Sequence, residues 1–334
     1  MNRLSLVAAL AACCLSLPLG PAVFAQEVKL PSARPKMTTA SAVRARAEPQ
    51  TAAQEVARLK LGSVVNAVAR TAEQVEVGGR RDYWFRVELP GGGSAWVFGA
   101  LLADYDAARR AELVRRVVEE RLKVETMSFD DGVDFYNFVE GALADTKQPA
   151  ARGELELARL HALGRAVRSM PESAGERPPF RDFHRAHERE IYHHELAGVW
   201  AVRPEVFWEL ERKYRGTPLG DRIAWDAAQA LRGGECESDE VCQFLSLHDT
   251  EGKYLSLYPR GTRAREVLEN LARALDSEQL AATLNSRGGD RYAAEARGAL
   301  RKALAELRAS LARVPAGEKA AVLGRLNKLS PARP

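Results

Sequence analysis

The sequence predicts an α+β multidomain chain, a small β-barrel followed by a mostly α-helical region. Three observations predict it. Residues 40–104 alternate short β-branched and aromatic runs with Gly- and Pro-rich turns. Beyond Asp104 the apolar residues recur at helical spacing. At 334 residues the chain also exceeds one small core, so two or three domains are expected. Hydrophobic residues at 46% and charged residues at 28% form an ordinary globular balance, which excludes wholesale disorder.

Residues 1–25 read as an export signal. Arg3 supplies positive charge, and a mainly apolar run follows from Leu4 to Leu19. Gly20-Pro21 would break a helix, and Val23-Phe24-Ala25 offers small residues for cleavage before Gln26. The run is shorter than a comfortable membrane span. A second reading is a lipobox, Leu10-Ala11-Ala12-Cys13, with Cys13 lipidated and retained. The residues after it, Cys14-Leu15-Ser16-Leu17, stay apolar where a tether is normally polar. The expected location is therefore periplasmic or secreted, with anchoring through Cys13 as the alternative. Residues 26–39, rich in Pro, Ser, Ala and Thr, read as a linker.

The barrel segment spans 40–104. It holds Val43-Arg44-Ala45-Arg46, Val56-Ala57-Arg58-Leu59-Lys60-Leu61-Gly62, Tyr83-Trp84-Phe85-Arg86-Val87 and Gly91-Gly92-Gly93-Ser94-Ala95-Trp96-Val97. Partial alternation sets Tyr83, Phe85 and Val87 against Trp84 and Arg86. Gly78-Gly79 and Pro90-Gly91-Gly92-Gly93 mark turns, and the loop from Thr71 to Arg81 is longer than a tight hairpin needs. These motifs resemble the bacterial SH3 (SH3b) family, with Ala95 standing where that family usually has glycine before the Trp96 strand. The resemblance covers about a fifth of the chain. It implies a module that binds ligands in the cell envelope and does no chemistry. It also implies a groove beside the long loop, with Tyr83, Trp84 and Trp96 as its ligand-binding candidates. Burial of either tryptophan in the small core is the competing reading.

The helical region spans 105–282. Leu113, Val114, Val117, Val118 and Leu122 mark a first helix. Phe135, Phe138, Val139 and Leu143 mark a second, with Asp130-Asp131 as its cap. Leu157, Leu160, Leu163 and Val167 mark a third, and Phe180 to about Leu196 reads as a fourth. Pro204 opens a helix that stops at Gly216, and Thr217-Pro218 opens the next with a cap and an N1 proline. The junction Tyr214-Arg215-Gly216-Thr217 recurs as Tyr258-Pro259-Arg260-Gly261-Thr262. This looks like tetratricopeptide-type helical hairpins, with an irregular bundle as the alternative. Cys236 and Cys242 form an even pair, and in an oxidising compartment they read as a disulfide. Residues 283–334 read as basic C-terminal helices, Tyr292 to about Leu311 and Gly317 to Leu329. From Asn285 onward eleven Lys/Arg face four Asp/Glu, whereas the whole chain carries only +4. Such a tail fits either an acidic surface or a solvated helix face.

The sequence offers little catalytic chemistry. His187, Glu190 and His194, spaced i, i+3 and i+7 on the expected fourth helix, could meet a metal on one face. Phe180, Phe183 and Ile191 share that face and favour packing, and the zincin pattern is absent because residue 191 is Ile. Asp130, Asp131 and Asp134 read as a cap and a solvated turn. No G-x-S-x-G, P-loop or dinucleotide fingerprint occurs. The expectation is a non-enzymatic envelope binding or scaffolding protein that needs no cofactor. Peptidoglycan or an envelope protein is the partner, and no nucleic acid is involved. The alternatives are a protein–protein adaptor acting through the helical region and a metal-dependent hydrolase using the His-rich helix.

Overall fold

The computed structural model describes residues 26–231, 236–286 and 291–329. The export signal and Cys13 lie outside the described residues. The chain forms two compact units. Among the described residues, one holds the segment up to Lys36 with Arg44–Arg58 and Val64–Asp104; the other holds Met37–Val43, Leu59–Ser63 and the residues from Tyr105 onward. Two short segments from the strand region, Met37–Val43 and Leu59–Ser63, group with the helices.

The first unit is strand-rich. Strands β1 (Glu27–Thr38), β2 (Val43–Arg46), β3 (Glu55–Leu59), β4 (Val64–Thr71), β7 (Trp84–Glu88), β8 (Ser94–Phe98) and β9 (Leu102–Asp104) make one sheet in the order β3-β2-β8-β7-β4-β1-β9. Strands β5 (Val75–Val77) and β6 (Arg80–Asp82) form a separate hairpin. Residues 27–38 are thus a strand and not the expected linker. Their prolines misled the reading. β9 spans three residues against twelve of β1, so much of one edge of β1 can lack N–H donors without losing ladder bonds. A bulge between Ala67 and Ala69 shifts the β4–β7 register. Ala45, Val65, Ala67, Ala69, Val87, Ala95 and Val97 are buried inside.

The second unit is mostly helical: α1 (Arg110–Leu122), α2 (Phe129–Asp145), α3 (Pro149–Arg168), α4 (Phe180–His187), α5 (Pro204–Tyr214), α6 (Pro218–Gln229), α7 (Glu240–Leu247), α8 (Lys253–Leu257), α9 (Ala264–Ala274), α10 (Glu278–Asn285), α11 (Arg291–Leu311) and α12 (Ala316–Leu329). The expected stripes are buried: Leu113, Val114, Val117 and Val118 on α1, Phe135, Val139 and Leu143 on α2, and Leu157, Leu160, Leu163 and Val167 on α3. Ser128, not Asp130 or Asp131, caps α2 by accepting from Asp131 N, and the two aspartates sit in the first turn, where the helix dipole favours them. Asp134 is no solvated bystander, because its carboxylate accepts from Leu61 N at 2.8 Å.

The fourth helix is shorter than expected. It ends at His187, and Ile191–His194 (β10) pairs antiparallel with Val199–Val202 (β11) across a turn at Gly198, whose φ is +60°. The run Ile-Tyr-His-His against Val-Trp-Ala-Val is rich in β-branched and aromatic residues, which fit a pleated surface better than a helix interior. Among the described residues no helix is long and apolar enough to cross a membrane.

Candidate functional site

β7 and β8 carry two rows of side chains. Phe85 lies opposite Val97, and Val87 opposite Ala95, in one row; Trp84 lies opposite Phe98, and Arg86 opposite Trp96, in the other. The first row faces the interior, where Val87, Ala95 and Val97 are all but inaccessible. The second row would face outward. There Trp84, Trp96 and Phe98 form a separate apolar cluster, with Trp84 and Phe98 ring centroids 5.6 Å apart. Val75 and Val77 of the β5–β6 hairpin pack on this cluster with Ala100 and Leu101. Trp84 is left 3% exposed and Trp96 8%.

For both tryptophans the structure gives the burial alternative and not an open ligand face. They do sit beside the long loop, but Thr71–Arg81 is no open loop. Gly78 and Gly79, at φ +57° and +74°, let it fold into a two-residue hairpin whose valines cover the indoles. The Trp84 indole N–H is buried with no hydrogen-bond acceptor.

Tyr83 is the one sequence candidate left partly open. Arg70 of β4 stacks its guanidinium 4.0 Å from the Tyr83 ring centroid. Tyr83 meets Phe85 edge-on, with centroids 6.4 Å apart, and Lys36 Nζ lies 4.4 Å from the Phe85 ring centroid. Lys36 in turn pairs with Asp104 at 2.8 Å. The Lys36 hydrogen bond is the main cause holding the Asp104 carboxyl below its ordinary value, against partial desolvation. The result is a half-buried aromatic pair with the Arg70 guanidinium stacked on one ring and a buried, Asp104-paired Lys36 against the other. It can offer stacking, cation–π contact and hydrogen bonds to one ligand. Arg70 and Lys36 were missed in the sequence because neither is near Tyr83 along the chain; the β4–β7 pairing, with Arg70 opposite Phe85, brings in Arg70, and β1 beside β4 brings in Lys36.

The histidine constellation separates. His187 ends α4, Glu190 follows in the turn and His194 lies on β10, so the three do not share a helix face. His187 Nδ1 is 3.0 Å from Glu190 Oε2, while Arg159 clamps the same carboxylate through two hydrogen bonds at 2.7 and 2.9 Å. Burial raises the Glu190 pKa, but hydrogen bonds from His187 and Arg159 and the Arg159 charge outweigh it and hold the carboxyl at about 2. His194 Nδ1 accepts from Ala197 N at 3.1 Å. Phe183 and Tyr136 pack on the His187 ring. Glu190 is thus committed to an ion pair inside an aromatic pocket. Among the described residues no group of three or more His, Cys, Asp or Glu is placed to hold a metal.

Cys236 and Cys242 are bonded to each other, with Cα atoms 5.3 Å apart, and Asp239 between them caps α7 by accepting from Val241 N and Cys242 N. Several cations of the basic C-terminal helices bond to the protein itself. Arg301 donates to Leu284 O, Arg308 to Leu326 O and Lys319 to Leu311 O, all carbonyls at or near helix ends, and Arg325 pairs with Asp276.

Residues 41–103 match the bacterial SH3 domain family (SH3_3). No curated protein and no solved structure matches the chain. The class of protein follows: a bacterial SH3 domain joined to a mostly α-helical region.

Proposed function

We propose that this protein is an exported, non-catalytic binding or scaffolding protein of the cell envelope, whose SH3 unit engages peptidoglycan. The observation that carries the reading is the Arg70–Tyr83 stack on a domain of bacterial SH3 type. A planar aromatic–guanidinium surface suits the sugar faces, amides and carboxylates of cell-wall peptide and glycan. The signal-like residues 1–25 support delivery to that compartment. The hydrolase alternative gains no support from this trio, since Arg159 and His187 hold the Glu190 carboxylate and His194 lies on a strand.

The test is co-sedimentation of the purified full chain with isolated sacculi, alongside Tyr83→Ala and Arg70→Ala. Neither position is a core tryptophan, so both variants should keep the fold, as circular dichroism would check. The expected result is saturable binding, weakened at least fivefold by either substitution. Absence of saturable binding, or full retention by both folded variants, would overturn the reading.

A further inference from the structure

The Arg70 guanidinium is oriented by the protein itself. Its Nη1 donates to Thr71 O at 3.0 Å and to Ala72 O at 3.4 Å. Those carbonyls are fixed in turn. Buried Thr71 donates through Oγ1 to Glu73 O at 2.7 Å and accepts from Trp84 N at 3.2 Å, which ties the end of β4 to β7. Ala72 N donates to Gln26 O at 2.8 Å. Beneath the guanidinium lies the Tyr83 ring, 4.0 Å away at its centroid. Tyr83 is held at both backbone groups: its N–H donates to Asp82 Oδ1 at 2.7 Å and its carbonyl accepts from Gly99 N at 2.8 Å. Little rotamer freedom is left for Arg70 to lose on binding.

What stays open has a definite shape. Nε and Nη2 of Arg70 and the Tyr83 hydroxyl make no hydrogen bond among the described residues. Nε–H and one Nη2–H run parallel along one edge, a spacing that matches the two oxygens of a carboxylate. The carboxylates on the adjoining strands are engaged elsewhere. Asp82 holds Tyr83 N, Glu27 pairs with Arg86 at 2.9 Å, and Asp104 pairs with Lys36 at 2.8 Å. That last pair also neutralises the second cation at this aromatic face. One open fork beside a neutralised lysine suits a planar monoanion better than a phosphate dianion, which gathers more positive charge.

We propose that the Arg70 edge selects a free carboxylate, the C-terminal carboxylate of a short wall peptide, over the corresponding amide. The proposal rests on peptidoglycan binding only for the source of that peptide. The carboxylate takes Nε and Nη2, and the Tyr83 hydroxyl supplies one further hydrogen bond.

The experiment is saturation-transfer NMR titration of the purified full chain with N-acetyl-D-alanyl-D-alanine and with its C-terminal amide. Inorganic phosphate and glucuronate serve as competitors. The acid is expected to saturate, with the amide about tenfold weaker. Arg70→Lys keeps the charge and removes the fork, so it should weaken the acid about fivefold. Tyr83→Phe keeps the stack and should weaken acid and amide alike, about twofold. Acid binding that does not saturate, equal binding of the amide, displacement by phosphate or glucuronate as effective as by the acid, or unchanged affinity in a folded Arg70→Lys protein would overturn the proposal. Sacculi with their carboxyl groups converted to methylamides separate carboxylate selection from wall binding. Binding to native sacculi alone supports both. Equal binding to native and converted sacculi overturns carboxylate selection and leaves wall binding intact. Acid-selective peptide binding without any sacculus binding supports carboxylate selection and overturns the wall as its source.

Discussion

The β7–β8 cluster of the SH3 unit and the interhelical junctions of the helical unit bury polarity differently. Around β7 and β8 the covered cluster is apolar, and the buried Trp84 indole nitrogen and the neighbouring Arg86 Nε have no hydrogen-bond partner. At the α5–α6 and α8–α9 junctions the helical unit buries carboxylates instead. Glu211 accepts from Tyr258 Oη at 2.9 Å and from Arg215 at 2.9 and 2.7 Å. Asp221 accepts from Tyr254 Oη and, at 2.9 Å, from Thr262 N. Sheets satisfy their own backbone through ladders, so cover by two valines is enough there. Helix ends leave orphan donors and acceptors, and bundles of similar stripes need polar pins to set which turn meets which. The recurring Tyr-x-x-Gly-Thr-like junctions are such pins. The second stretch differs from the first, since α7 and α8 run on through a π-helical turn at His248–Gly252.

The contrast can be broken most strongly in the barrel. Trp84→Ala should cost about 3–5 kcal/mol, read from urea unfolding followed by near-UV circular dichroism. An effect below about 1 kcal/mol would mean the hairpin cover is not closed in solution.

The helical unit should respond to acid instead. Glu190 titrates at about 2 in the fold against an ordinary 4.5, so the carboxylate is favoured by folding. That stability is complete above about 4.5 and is lost as pH falls from there toward 2. The loss is about 2–3 kcal/mol. Glu190→Gln should remove this slope while lowering stability at pH 7; a variant with the wild-type acid profile would place the transition elsewhere.

Breaking the Cys236–Cys242 bond with Cys242→Ser should cost about 2 kcal/mol in the helical unit, detectable as a lower Tm, and leave tryptophan emission of the barrel unchanged. Tyr258→Phe removes one pin and leaves a buried carboxylate oxygen short of a donor, worth about 1–2 kcal/mol. The smallest change should follow from Val77→Ser on the hairpin. It should make Trp84 and Trp96 more accessible to acrylamide quenching at a cost of about 1 kcal/mol. Quenching that stays at the wild-type level would show that Ala100 and Leu101 suffice as cover.

Much of this fold was legible along the chain. Helix stripes at i, i+3 and i+4 marked α1, α2 and α3, and Gly216-Thr217-Pro218 marked the α5–α6 turn, where Thr217 Oγ1 accepts from Gly220 N at 3.0 Å. These signals are local, because capping and periodicity act within one or two turns. The β10–β11 hairpin was not legible, since Phe180 to Leu196 also fits a helical stripe, and the choice rests on packing against α3.

What the sequence alone determined was the SH3-like segment, the stripes of the first three helices and the disulfide pair. Tertiary structure alone decided which aromatic residues are open. Trp84 and Trp96 look as available as Tyr83 until Val75 and Val77 fold over them. It also decided the partners of charge: Arg70 on Tyr83 and Arg159 on Glu190. The reason is physical. Local preference depends on neighbours along the chain, whereas burial and ion pairing depend on atoms brought together from dozens of residues away.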